Sequence, residues 1–192
     1  LIFYGGTVIR LAYNSPRFSE DLDFIVVKKT SFPEFKNFLS AIVKRHNGWK
    51  LKDLKDKRQT MFALINIEDS KLKHSFSIKI EIHKPDKKIK LETELSLLKS
   101  PLSIAEPLLL TPTLKELKSL KESVLLNRKK SRDIFDLWYI AQNLRESFVL
   151  PEKIPQYTER EFRNELQVFL PKKYHPIISQ LYERIKKRNK KN

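Results

Sequence analysis

Two stretches decide how the chain is read: Leu1-Ile2-Phe3-Tyr4-Gly5-Gly6-Thr7-Val8-Ile9-Arg10-Leu11-Ala12-Tyr13, and, with thirteen residues between it and Thr7, Asp21-Leu22-Asp23-Phe24-Ile25-Val26-Val27. Only three glycines occur in 192 residues, and two of them stand side by side at Gly5-Gly6. An apolar β-type run, a glycine pair and a helical pattern predict a strand, a tight turn and a helix capped by the Thr7 hydroxyl. Ser15-Pro16-Arg17-Phe18-Ser19 then breaks the helix, and the alternation from Asp21 to Val27 predicts a second strand. Leu1 opens the β-type run without an initiator Met, which raises the expectation that the chain starts inside a longer domain.

Asp21 and Asp23 alternate with Leu22 and Phe24, so a strand sends both carboxylates out of one face and both apolar side chains into the core. Carboxylates two residues apart on a strand are about 7 Å apart. That spacing suits hard divalent cations shared with triphosphate oxygens. A bare Asp-x-Asp is also what an ordinary solvated strand end looks like. The glycine turn adds backbone amides, the Thr7 hydroxyl and a helix N-terminus, all suited to a phosphate chain.

Further along, Phe32 to Val43 has helical spacing, and Met61 to Ile67 and Ser77 to His83 read as strands. In the last of these the isoleucines take one face and Lys79, Glu81 and His83 the other; a salt-bridged surface strand reads the same way. From about Ser96 strand signals fade, Pro101, Pro107 and Pro112 punctuate a linker, and helical patterns continue to the end. Thr113-Leu114-Lys115-Glu116 has the form of a capping box, opening a helix whose stripe of Leu114, Leu117, Val124 and Leu125 also takes in Lys121. An inward lysine needs an anionic partner, a phosphate being one, or an escape for its stem to solvent.

After Arg128-Lys129-Lys130, Ser131 is positioned to cap a helix over Arg132 to Leu144 that is apolar around most of its circumference. Asp136 lies among Phe135, Leu137, Tyr139 and Ile140 and therefore demands a cation, with Lys121, Arg128 or Arg132 at hand. Asp133, in the first turn, suits the helix dipole. Phe135, Trp138 and Tyr139 read as core residues rather than base-stacking platforms. Six of the nine residues from Arg184 to Asn192 are basic, which predicts a frayed tail.

The string Gly5-Gly6-Thr7 followed by Asp21-Leu22-Asp23-Phe24 resembles the signature of the DNA polymerase β-like nucleotidyltransferase superfamily. More closely, Gly5 to Arg10, then Arg17-Phe18-Ser19-Glu20-Asp21-Leu22-Asp23-Phe24, then Lys121, Arg128 and Arg132-Asp133-Ile134-Phe135-Asp136 resemble the AbiEii/AbiGii abortive-infection toxin family. The resemblance implies an α+β nucleotidyltransferase fold, a mixed β-sheet flanked by helices. The fading of strand signals from about Ser96 and the proline-punctuated linker divide the chain into a core over residues 1–95 and a C-terminal helical region over 96–192. The resemblance also implies transfer of a nucleoside monophosphate from a nucleoside triphosphate to an acceptor hydroxyl, with tRNA or another RNA as acceptor and a cognate antitoxin as partner.

Carried over residue by residue, the resemblance makes Asp21 and Asp23 ligands of two magnesium ions, or of manganese. Glu81 becomes a third ligand or the base, with Glu68 and Asp69 in reserve. Gly5, Gly6, Thr7 and Arg17 contact the nucleotide, Lys121 contacts the triphosphate, and Asp133 or Asp136 fixes Lys121 or the acceptor side. The chain departs from the family in having no helix ahead of its first strand and in carrying Glu, not Asp, as the third acid.

Charge fits this reading. Thirty-nine Lys and Arg against 23 Asp and Glu give a net charge of +16, which draws polyanions before any specific contact forms. The absence of cysteine excludes thiol chemistry and disulfide stapling and makes a cytoplasmic location the expectation. No apolar run approaches the roughly 18 residues of a membrane-spanning helix, and His46, His74, His83 and His175 lack metal-ligand spacing. Two other readings stay open: a non-catalytic module of the same fold that binds nucleic acid or antitoxin, and a small-molecule, antibiotic-type nucleotidyltransferase.

Overall fold

A computed structural model describes residues 1–28, 30–86 and 89–189. Five strands form one mixed sheet: β1 (Ile2–Tyr4), β2 (Asp21–Ile25), β3 (Trp49–Asp56), β4 (Thr60–Ile67) and β5 (Phe76–His83), in spatial order β1-β2-β5-β4-β3. β2 and β5 pair in parallel and the other neighbours are antiparallel. The architecture is α+β, a mixed sheet with helices packed against it, as the motifs predict.

One face of the sheet is apolar. Met61, Ala63, Ile65 and Ile67 alternate inward along β4 and pack with Ile82 beneath Phe35 and Leu39 of α2 (Phe32–Arg45). α2 starts where Ser31 and Glu34 close a full capping box and Pro33 sits in the first turn. Beside it, α1 (Gly6–Tyr13) buries Val8 and Ile9 against Phe3, and the same cluster includes Leu117 and Ile140 from the C-terminal helices. Sheet and C-terminal helices therefore meet in a shared hydrophobic cluster. Each of these fully buried aliphatic side chains contributes roughly 1.5–3 kcal/mol.

The second half contains more strand than its sequence suggests. β6 (Thr93–Leu97) and β7 (Leu108–Pro112) form an antiparallel hairpin across the stretch expected to be a linker, and the expected boundary at 95/96 falls inside β6. Its polarity is inverted: Leu95, Leu97 and Leu108 are exposed, while Ser96 and Thr111 are buried and hydrogen-bonded to each other. Four helices follow: α3 (Leu114–Asn127), α4 (Ser131–Asn143), α5 (Glu159–Phe169) and α6 (His175–Asn189). Phe135 lies at the centre of their core, with Phe162, Leu166, Ile178, Leu181 and Ile185, and Trp138 and Tyr139 pack against it. Among the described residues no helix is long and apolar enough to cross a membrane.

Several local expectations are corrected. β3 was not anticipated, and β2 ends at Ile25 rather than Val27. Helix α1 starts one residue before Thr7, with Gly5 as its N-cap at φ 86°, so Thr7 caps nothing. Ser131 is the first residue of α4 rather than its cap; the cap is Lys130, and the Ser131 hydroxyl donates to Glu165. Thr113 does cap α3, but Glu116 turns to the Glu92 amide instead of closing the box. α6 continues through the basic stretch to Asn189, and the last three residues, 190–192, lie outside the described residues.

Candidate active site

The face of the sheet opposite α2 carries the acids. Register pairs Tyr4 with Asp23 across β1 and β2, and Asp21 with Lys79 and Asp23 with Glu81 across β2 and β5. These side chains form one wall of an open cavity of about 200 Å³. Facing them, α3 contributes the apolar Leu117, Leu120 and Val124 together with Lys121, and Arg128 and Arg132 continue the cationic side. Gly5 and Gly6 lie along the same cavity.

Both glycines are required by what lies against them. A Cβ on Gly5 would stand 2.7 Å from Asp23 Oδ2, and the φ of +86° is itself unfavourable to any other residue. A Cβ on Gly6 would meet Arg17 Nη2 at 2.1 Å and Ser19 Oγ at 2.9 Å. The turn thus brings its backbone onto one acid and onto one guanidinium that cannot retreat.

Arg17 cannot retreat because it is only 2% exposed and locked to Asp136: Nε donates to Oδ1 at 2.6 Å and Nη2 to Oδ2 at 2.9 Å, while Nη1 donates to the Phe18 carbonyl at 2.7 Å. Lys121 Nζ lies 2.6 Å from Asp136 Oδ2 and 2.9 Å from Asp133 Oδ1. Arg128 closes the set with two bonds to Asp133, at 2.9 and 3.0 Å. Both carboxylates are fully buried. Burial pushes the Asp133 carboxyl up, but Lys121 and Arg128 outweigh it and bring it to about 2. Asp136 is likewise held below the usual carboxylate range by Arg17 and Lys121 against the effect of burial. Two of the three ammonium donors of Lys121 are committed, and the side chain still reaches the cavity wall.

The sheet side is poised differently. Burial, then the charges of Asp21 and Glu81, raise the Asp23 carboxyl to about 6. Burial, with Asp23 and Glu81, pushes the Tyr4 phenol up to about 12. Lys79 Nζ stands 2.8 Å from Asp21 Oδ2 and 3.3 Å from Glu81 Oε2. Among the described residues no three His, Asp or Glu side chains form a ready metal cage. Magnesium does not demand one: it is commonly held by one or two carboxylates and completed by substrate phosphates and water. An Asp pair whose members repel each other is a donor set that such an ion fits.

Of the residues anticipated from sequence, Gly5, Gly6, Arg17, Asp21, Asp23, Glu81 and Lys121 line this one cavity. Thr7 does not line it; its hydroxyl donates to the Asp21 carbonyl at 2.5 Å. Asp133 and Asp136 sit behind the wall and hold Lys121. The cation for Asp136 is Arg17 as well as Lys121, rather than Arg128 or Arg132. Asp133 is an ion-pair residue more than a dipole partner. The reserve acids are elsewhere: Glu68 pairs with Lys50 at the surface and Asp69 accepts the Lys71 amide in a turn. Tyr4, Lys79 and Arg132 line the cavity without having been assigned to it; for Lys79 the alternation that singled out Glu81 was the available signal.

A mixed sheet that sets an Asp-x-Asp strand beside a glycine turn, closed by a cationic helical wall, is the nucleotidyltransferase type of fold. JHP933 from Helicobacter pylori is similar, with 26% identity and a TM-score of 0.54 over 73% of this chain and 57% of that one. So is a second H. pylori structure, described as a candidate nucleotidyltransferase, with 26% identity and a TM-score of 0.52 over 73% of this chain and 59% of that one. The chain therefore spans under two thirds of the length of these solved relatives. No curated protein matches it. The family model of the nucleotidyl transferase AbiEii toxin of type IV toxin–antitoxin systems matches residues 1–191, and the chain belongs to that family.

Proposed function

We propose that the protein transfers a nucleoside monophosphate from a nucleoside triphosphate to a hydroxyl of an RNA acceptor, tRNA being the leading candidate, and that it acts in the cytoplasm as the toxin of a toxin–antitoxin pair. The observation that carries this reading is the convergence of Asp21, Asp23 and Glu81 with Lys121, Arg128 and Arg132 around one cavity beside the Gly5-Gly6 turn.

The uncapped start of α1 offers amides and a positive helix end to a phosphate. The third donor of Lys121 and the guanidiniums of Arg128 and Arg132 neutralise triphosphate oxygens. Asp21 and Asp23 would hold magnesium or manganese, which when bound supplies charge neutralisation on the triphosphate. The acceptor oxygen attacks the α-phosphorus, the bond to the β-phosphate bridge oxygen breaks, and pyrophosphate leaves; Glu81 takes the acceptor proton. Leu117, Leu120 and Val124 supply an apolar surface for the base.

A polyanionic acceptor is supported by a second groove on the far side of residues 15–19. Arg10, Lys99 and Lys173 line it with Phe18 and Tyr174, and among the described residues no Asp or Glu does. The Arg10 guanidinium stacks 4.1 Å from the centre of the half-exposed Phe18 ring. Cations interleaved with aromatic faces suit a nucleic-acid strand better than a small antibiotic.

The test incubates the protein and an Asp21→Ala, Asp23→Ala variant with each labelled triphosphate, magnesium and total tRNA. Label is expected on RNA with wild type and not with the variant. If wild type labels neither RNA, protein nor itself, and magnesium and nucleotide also fail to bind, the enzyme reading is lost. In a parallel incubation with an aminoglycoside added, label on the aminoglycoside but not on RNA would move the proposal to the small-molecule class.

A further inference from the structure

Lys79 has no part in the reaction just outlined, yet its ammonium sits inside the carboxylate cluster. We propose that Lys79 is a resident cation of the site, carrying the charge-neutralising part of a second divalent ion at Asp21 and Glu81, so that the protein loads one divalent ion rather than two. This inference rests on the nucleotidyl-transfer reading and narrows its metal requirement.

The placement comes from the backbone, not from a chance rotamer. Asp21 and Lys79 are register partners on parallel strands, as are Asp23 and Glu81, and residues 79 and 81 leave the same face of β5. Lys79 Nζ consequently reaches Asp21 Oδ2 at 2.8 Å and Glu81 Oε2 at 3.3 Å, with about a third of its side chain exposed. Among the described residues, Lys79 is the cation in direct contact with these acids. On the opposite wall Lys121 is held by Asp133 and Asp136, and Arg128 by Asp133.

Charge supports the same conclusion. Asp21, Asp23 and Glu81 carry three negative charges when ionised, and one ammonium leaves two, which a single dication balances. Glu81, tied to an ammonium, is also a poorer ligand than a free carboxylate. Lys79 contacts Asp21 and Glu81 directly, and Asp23 is in ion-pair contact with no cation among the described residues, which leaves Asp23 open to a bound ion. An ordinary exposed ion pair would leave metal loading unchanged when its lysine is removed, and this separates the two readings experimentally.

The experiment titrates Mn²⁺ into the full chain with a non-hydrolysable triphosphate bound and reads electron paramagnetic resonance. Wild type is compared with Lys79→Met, which keeps the stem, and Lys79→Arg, which keeps the charge. Wild type and Lys79→Arg are expected to give the signal of an isolated ion. Lys79→Met is expected to give the coupled signal of an ion pair, and to bind Mn²⁺ about tenfold more tightly without nucleotide. A coupled pair in wild type, or Lys79→Met indistinguishable from wild type in both readouts, overturns the role of Lys79 and leaves the transferase reading intact. If wild type binds the triphosphate but no Mn²⁺ at all, the metal-dependent reading falls and this inference with it. Circular dichroism of each variant reports folding independently of metal.

Discussion

The two walls of the cavity use the same side chain to opposite ends. Asp23 on the sheet and Asp133 on the helices are both buried acids, yet one is raised to about 6 and the other lowered to about 2. Burial pushes both in the same direction, so the difference lies in their neighbours. Asp133 is met by Lys121 and Arg128, whereas Asp23 has Asp21 and Glu81 beside it and cations only at longer range. The helical wall is electrostatically complete and acts as a scaffold. The sheet wall is short of positive charge, and that deficit is what a bound divalent cation would fill.

The sharpest way to break this contrast is to remove an acid from the completed wall. Asp136→Asn leaves buried Arg17 without its carboxylate partner and Lys121 with one of its two, and a cost of about 3–5 kcal/mol is expected in chemical denaturation. A loss below about 1 kcal/mol would mean that the network is not what joins the Arg17 segment to α4. The pH dependence has a definite sign. Asp133 has a lowered folded-state pKa, so its stabilising contribution is present above the ordinary value of 3.8 and disappears as pH falls towards about 2.

The same substitution on the other wall should act in reverse on stability. With a folded-state pKa raised to about 6, Asp23 favours the fold only while it holds its proton, below about pH 3.8, and that advantage is lost as pH rises through 6. Asp23→Asn is never ionised. It is therefore expected to be about 1–3 kcal/mol more stable than wild type at pH 7.5, with the gain shrinking to nothing near pH 4. Nucleotide transfer should fall at least about 100-fold at the same time. Thermal melts at the two pH values check this; equal destabilisation at both would make Asp23 a structural acid like Asp136.

How far the sequence reveals these walls depends on whether periodicity reports burial. Asp21, Asp23 and Glu81 are legible because their strands alternate cleanly, and Lys121 because it interrupts an apolar stripe. β3 is not, because a bulge between Leu51 and Asp53 shifts the register and spoils the alternation of Trp49, Leu51 and Leu54. The β6–β7 hairpin is hidden by leucines that face outward and by a buried Ser96–Thr111 pair. The Arg17–Asp136 bond spans 119 positions, and no local pattern encodes it. Thr7 and Ser131 are residues that commonly cap helices, but tertiary acceptors take their hydroxyls instead.

Thr7 also supplies the finest test of the contrast. Its side chain is 7% exposed, and its hydroxyl ties the first turn of α1 to the carbonyl of Asp21, at the point where β2 begins. Thr7→Val keeps the shape and removes the donor, so a stability loss of about 1 kcal/mol is expected. Because the hydroxyl acts through the placement of Asp21, the kinetic effect should fall on kcat, with KM for the triphosphate changed by less than about twofold. A direct phosphate contact would behave otherwise, raising KM while leaving the melting transition in place. If that pattern is found, Thr7 belongs with the nucleotide-contacting groups; if kcat and stability fall together, Thr7 holds in position the strand that carries the acids.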